Sequence, residues 1–472
     1  MKIKRMIIPV LALVSAVFLS ACGDSASDTV TLRVCNWEEY VDEGDWGEDE
    51  AIELSDGTVI LGENSLVDDF EEWYYETYDI RVDVEYSTFG TNEELYNQIT
   101  IGDVYDLACP SEYMIMKMMR EGMLVPYSDD FRNKDIEENY YAKGVSPYIS
   151  GVFDKLSIDG EPISRYASGY MWGTLGIVYN PEEVTADEAA HWDVLLNKDH
   201  YRRITIKDSV RDAYFAAAAI NFYDEITDKD FVSSPDYHDR LSATLNRTDE
   251  ETVNAVEKIL VRAKDNVYSF ETDSGKADMV TGKVVANEQW SGDAVYTMDQ
   301  ADEDDVELCY SAPQEGTNLW FDGWVLLKKG MEEDERKQHA AQAFVNYLSR
   351  PESAIRNMYY IGYTSVISGG DSDLIFDYID YNYGVDEDEE DAVEYSDIDY
   401  FFGEDEGEDT DKYTILTTQD QTRRQLFAQY PPKSVVDRAV VMACFDEESN
   451  ERVNRSWTNV RCFDLNNLFG RE

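Results

Sequence analysis

Five short clusters in this chain combine aromatic rings, hydroxyls and carboxylates. They are Asn36-Trp37-Glu38-Glu39-Tyr40, Pro110-Ser111-Glu112-Tyr113, Asp208-Ser209-Val210-Arg211-Asp212, Trp290-Ser291-Gly292-Asp293 and Trp320-Phe321-Asp322. Ring faces attract an organic cation by roughly 0.5–2 kcal/mol each, and carboxylates fix its ends through charge-assisted hydrogen bonds. The chemistry these residue types suit is therefore capture of an amine. Any one cluster also reads as a helix start, with the ring packing on the helix and the acid capping it.

The flanking patterns give the clusters a common address. Val30, Leu32 and Val34 alternate as in a half-buried strand that runs into the first cluster, and strands are predicted at 80–84, 105–109, 174–179, 203–207, 284–286 and 324–328. Helical periodicity lies between them, at 65–78, 113–121 and 333–348 among other places. Alternation of this kind predicts an α/β fold with a largely parallel sheet, in which ligands bind outside the carboxyl ends of strands. Four clusters follow predicted strands and the fifth precedes one, so all five are expected near one crevice. With 472 residues, 43% of them hydrophobic, two domains are expected.

The N-terminus reads as a secretory leader. Residues 1–5 are basic, 6–18 are apolar, and Leu19-Ser20-Ala21-Cys22 places small residues before a cysteine suited to lipid attachment. Residues 1–22 are thus assigned to a lipoprotein signal, 23–28 to a linker, and the remainder to a body tethered outside the cytoplasmic membrane. Beyond Cys22 stand Cys35, Cys109, Cys309, Cys444 and Cys462, too scattered for a zinc site or a disulfide framework and odd in number.

There are 99 acidic and 40 basic residues, a formal net charge of -59. That balance argues against nucleic acid as a partner and favours cationic solutes, within the reach that salt allows. Two acidic stretches read as insertions: 42–63, beside the first cluster and a candidate lid, and 371–411, a like-charged block expected to be solvated and mobile. The second lacks the spacing and central glycine of a calcium loop, so no metal is assigned. His191, His200, His238 and His339 are scattered, and neither H-E-x-x-H nor G-x-S-x-G occurs, so an enzyme is not expected. A hydrolase of cationic glycans is the alternative from that class.

Taken in order, the clusters resemble the spermidine/putrescine-binding proteins of polyamine ABC transporters. Further agreement lies in Tyr86-Ser87-Thr88-Phe89 with Asn92-Glu93, Tyr105-Asp106-Leu107, Met171-Trp172-Gly173-Thr174, Ile361-Gly362-Tyr363, Tyr430-Pro431-Pro432 and Arg455-Ser456-Trp457-Thr458. The resemblance implies a two-lobed type II periplasmic-binding-protein fold with a hinge and an interlobe cleft. Lobe one would span 29–172 and 320–365, and lobe two 173–319 and 366–472. It implies an aromatic box of Trp37, Tyr40, Tyr113, Trp290 and Trp320, with Asp322 holding one amine and Asp212 and Asp293 another. Ser111 and Glu39 would assist, and Tyr363 would line the hinge side.

Where spermidine-preferring members carry a second acid, this chain has Ser209, and Asp293 after Trp290 looks like the putrescine-preferring pattern. The implied ligand is putrescine or spermidine, with thiamine, iron or phosphonates as alternatives in the same fold. No cofactor is implied, the partners are ABC permease subunits, and the chain is expected to be monomeric.

Overall fold

The computed structural model describes residues 29–331, 335–403 and 412–462. The leader with Cys22, the linker 23–28, residues 404–411 of the acidic stretch and residues 463–472 lie outside these. No described helix is long and apolar enough to cross a membrane.

One continuous sheet runs through the molecule. Its strands lie in the order Ser269–Glu271, Ile204–Lys207, Ala286–Trp290, Ala167–Tyr179, Thr317–Leu327, Leu107–Ala108, Thr29–Trp37 and Arg81–Phe89. Each end is built from parallel pairs: Thr29–Trp37 beside Arg81–Phe89 at one, and Ile204–Lys207 between Ser269–Glu271 and Ala286–Trp290 at the other. Parallel neighbours require a crossover, and helix Leu66–Tyr78 supplies the first, started by the Ser65 side chain accepting from the Asp68 N–H. The two long central strands are antiparallel to each other and buried along their whole length.

The longer of these strands passes from one hydrophobic core to another. Along Ala167–Tyr179, Tyr170, Met171 and Trp172 pack with Leu32, Phe70, Phe153 and Phe344, whereas Leu175, Ile177 and Tyr179 pack with Trp192, Ile204, Phe215 and Leu260. Along Thr317–Leu327, Leu319 to Leu327 belong to the first core. The clusters from different ends of the sequence thus meet where two cores face each other.

Three expectations are corrected by the packing. The stretch 366–472 does not follow the second lobe throughout. Ile367, Ile375, Tyr378, Ile379, Phe401, Tyr430 and Val436 enter the first core, whereas Ala428 packs with Val178, Met279 and Val295 on the second side and Val440, Phe445, Val453 and Val460 enter the second core. The described part of the acidic block 371–411 is folded, with helix Leu374–Tyr383 burying Ile375, Tyr378 and Ile379, and strand Ala392–Tyr395 pairing with Ile415–Thr418. Residues 42–63 do not form a free lid either. They carry a hairpin of Ile52–Glu53 and Val59–Ile60 whose Ile52 and Ile60 are buried, and Asp42, 0% exposed, accepts from Arg356 Nε at 2.7 Å.

Candidate functional site

The first core contributes Asp322. It lies inside strand Thr317–Leu327, not ahead of a strand beginning at Trp324, because a register shift between Phe321 and Gly323 interrupts the ladder there. Such irregularities re-aim side chains. Asp322 bridges to Ser111, which precedes helix Glu112–Arg120, and accepts from Ser111 Oγ at 2.7 Å and from the Tyr40 hydroxyl at 2.8 Å. Asn92 fixes Ser111 in turn, donating to its Oγ and accepting from its N–H, both at 3.0 Å. Tyr40 follows Glu39, whose left-handed backbone at φ 53° turns the chain back after strand Thr29–Trp37.

Asp322 is 6% exposed, and no cation among the described residues pairs with it. Burial drives its pKa up to about 6, with the Ser111 and Tyr40 hydroxyls opposing. Beside it Glu112, also buried, is pushed to about 8 by burial and by Asp322, against the Phe321 N–H that it accepts. Burial and the adjacent Asp322 push the Tyr40 phenol well above its ordinary value. The walls are rings. Tyr363 meets Tyr40 edge-on at 5.5 Å and Trp320 at 5.4 Å. Gly173 is required beneath them, since a Cβ there would stand 2.6 Å from the Trp320 ring.

The second core contributes Asp293, in the first turn of helix Ser291–Glu303. Its Oδ1 accepts from the Tyr363 hydroxyl at 3.0 Å, and its Oδ2 lies 3.3 Å from Lys207 Nζ. Burial alone would raise Asp293, but Lys207 and Lys276 outweigh it and hold the carboxyl below its ordinary value. Trp290 ends strand Ala286–Trp290, four positions beyond the end of the predicted 284–286, and its ring lies 4.4 Å from Lys207 Nζ. Asp212 is buried behind it, raised by burial against hydrogen bonds from Ser209 and Trp290.

Tyr40, Tyr363, Asp293 and Glu39 line one cavity of about 700 Å³ between the cores, together with Glu38 and Lys276. Ser111, Asp322 and Trp320 are not part of its lining and connect to it through Tyr40, which donates to Asp322, and Tyr363, which packs on Trp320. Two proposed box members lie elsewhere. Trp37 packs on Phe89 with ring centres 4.6 Å apart, and Tyr113 turns to a smaller recess, its ring 5.0 Å from Arg211 and its hydroxyl donating to Glu93 at 3.1 Å. A larger recess of about 900 Å³, lined by Lys117, Arg120, Glu447 and Arg455 among others, lacks Asp322, Asp293 and the rings around them. Sequence reasoning missed Glu112 as a functional group and missed Lys207 and Lys276 altogether. A lysine closing a β-branched strand, Ile204-Thr205-Ile206-Lys207, was the available signal.

Residues 65–371 match the family described as bacterial extracellular solute-binding protein. The chain belongs to that family. Curated relatives include the spermidine/putrescine-binding periplasmic protein of Escherichia coli K12, 24% identical over 350 residues covering 74% of this chain and 81% of the relative. Another is the putrescine-binding periplasmic protein PotF of the same organism, 22% identical over 345 residues covering 71% and 78%. Among solved structures, the spermidine/putrescine ABC transporter substrate-binding protein PotD of Streptococcus pneumoniae superposes with a TM-score of 0.58 at 22% identity, covering 92% of this chain and 98% of that one. The Tp0655 lipoprotein of Treponema pallidum gives 0.59 at 16%, covering 91% and 99%. At such identities these structures establish the fold, that of a two-lobed solute-binding protein.

Proposed function

We propose that this protein is the extracytoplasmic capture component of an ABC importer and that its solute is a polyamine, putrescine or spermidine, bound between the lobes. The observation that carries the reading is Asp322, a buried carboxyl with two hydroxyl donors, aromatic walls and no resident cation among the described residues. Burying a carboxylate without a counter-charge is costly, so an ammonium placed there would be held strongly. The relatives named for spermidine and putrescine support the same chemistry.

The work is capture. A solute shifts an open-to-closed equilibrium only by binding the closed form better, which requires contacts from both lobes. Asp322, Tyr40, Ser111, Trp320 and Tyr363 would act from the first core, and Trp290 and Asp293 from the second, with Asp212 supporting Trp290 and Glu39 at the mouth. The loaded protein would then dock on permease subunits as a monomer, held to the membrane through lipid on Cys22.

A thermal-shift panel of putrescine, spermidine, spermine, cadaverine and thiamine tests the reading, because a ligand of the native state raises stability as RT ln(1 + [L]/Kd). A shift with putrescine or spermidine that Asp322→Asn abolishes is expected. No shift with any amine would overturn it.

A further inference from the structure

The two ends of the cleft hold carboxyls in opposite electrostatic states, and resident lysines make the difference. The Lys207 side chain is 1% exposed, and lysine is rarely so buried without partners. Its Nζ lies 3.3 Å from Asp293 Oδ2, 3.9 Å from Glu271 Oε1 and 3.0 Å from the Thr272 carbonyl, with the Trp290 ring 4.4 Å away. Acid, carbonyl and aromatic face around one ammonium are the contacts by which proteins receive a ligand amine. Lys276, on the cavity wall, approaches Asp293 Oδ1 at 3.7 Å, the oxygen that Tyr363 also engages at 3.0 Å.

Resident cations already meet the acids on this side. Asp212, Glu271 and Glu288 are buried and Asp293 partly so, while the exposed Asp273 holds Lys276 at 2.7 Å. Burial and the neighbouring Asp212 hold Glu288 well above the ordinary carboxyl range, and Lys207, Arg211 and Lys276 stand among the other acids. A second ligand ammonium here would meet a satisfied carboxylate and two lysines. Glu38 and Glu39 at the mouth are exposed, where pairing with a cation contributes little.

We propose that Lys207 takes the place of a ligand ammonium in the second-lobe half of the cleft, so that the protein selects amines with one cationic end. The ammonium would pair with Asp322, and a neutral hydrogen-bond-accepting end, the amide of a mono-N-acylated diamine, would accept from Lys276. This rests on the cleft being the amine site and ranks a singly charged amine above putrescine within it.

Calorimetry on the purified protein with putrescine and N-acetylputrescine tests it, in the parent, Lys207→Met and Lys276→Gln. The parent is expected to bind N-acetylputrescine at least about tenfold more tightly than putrescine, and Lys207→Met to narrow or reverse the ratio. Should Lys207→Met fail to fold, Lys276→Gln, which alters a side chain on the cavity wall, must move the ratio toward putrescine. Putrescine bound as tightly as N-acetylputrescine by the parent, or a ratio unmoved in the folded variants, would overturn this inference and leave the polyamine site standing. Binding of neither amine would overturn both.

Discussion

Tyr363 and Asp293 join the two cores. The phenol donates to Asp293 Oδ1 at 3.0 Å, while its ring packs with the first core and Asp293 opens a helix of the second. A carboxylate in the first turn of a helix is favourably placed, so Asp293 is a stable acceptor for a contact that crosses the cleft. Gly292 makes the approach possible, since a Cβ at that position would lie 1.9 Å from the Tyr363 ring.

Tyr363→Phe should keep the ring and delete the link. Asp293 retains Lys207 and Lys276, so the loss is one hydrogen bond to a charged acceptor, about 1.5–3 kcal/mol of closed-form stability. Calorimetry should show amine affinity weakened by about tenfold or more. Unchanged affinity would show that closure does not depend on this bond.

Asp322 couples folding stability to pH with a sign opposite to that of a salt-bridged aspartate. In the folded protein it holds its proton to about 6 and Glu112 to about 8, against roughly 3.9 and 4.3 in an unfolded chain. The folded state binds more protons in that window. Stability from these groups is present below about pH 4 and is lost as pH rises through 6 and 8, on the order of 2–3 kcal/mol for Asp322. Unliganded Asp322→Asn should therefore lose less stability than the parent between pH 4 and 7 in urea titrations, although it binds no amine. Parallel pH profiles for the two proteins would contradict this.

What the sequence disclosed about the site depended on how far residue type constrains surroundings. Tyr40, Ser111, Trp320 and Asp322 were legible because a ring, a hydroxyl and an acid at strand junctions suit one ligand class. The placement of Asp322 inside a strand was not, because a strand buried on both faces shows no alternation and its register shift leaves no mark on the sequence. Trp37 and Tyr113 have the right type, but Phe89 and Arg211 occupy their faces. Lys207 left only a faint trace, a lysine as the last residue of a β-branched strand, because such a lysine ordinarily reaches water and its burial shows only in the packing. The fold class was open to reading from alternating periodicities. The fate of 371–403 was not, since its acids hide the i, i+3, i+4 spacing of Ile375, Tyr378 and Ile379.

Arg356 should be the most sensitive charged residue away from the cleft. It donates through Nε to Asp42 at 2.7 Å and through a terminal nitrogen to Asp69 at 2.6 Å, and Asp42 also accepts from Trp46 Nε1 at 2.9 Å. Arg356→Met leaves Asp42 as a buried, unpaired carboxylate, which should cost about 3–5 kcal/mol in urea denaturation. Arg356→Lys should rescue only a fraction, because an ammonium cannot span both acids as the guanidinium fork does.

Ile379→Ala separates a structural role for the acid-rich C-terminal stretch from a decorative one. Ile379 is 1% exposed and packs in the cluster that holds Trp172, Phe321 and Phe401. Removing its side chain opens a cavity in a core that includes strand Thr317–Leu327, so the expected loss is about 2–5 kcal/mol. A tethered surface insertion would give a change within about 0.5 kcal/mol. Urea titration distinguishes the two, and an unchanged m-value would show that the variant loses stability without loosening the native fold. Because the same core carries Asp322, amine affinity measured at low temperature, where the variant is still folded, should stay near that of the parent. A large loss of affinity there would mean that helix Leu374–Tyr383 shapes the cleft as well as supporting it.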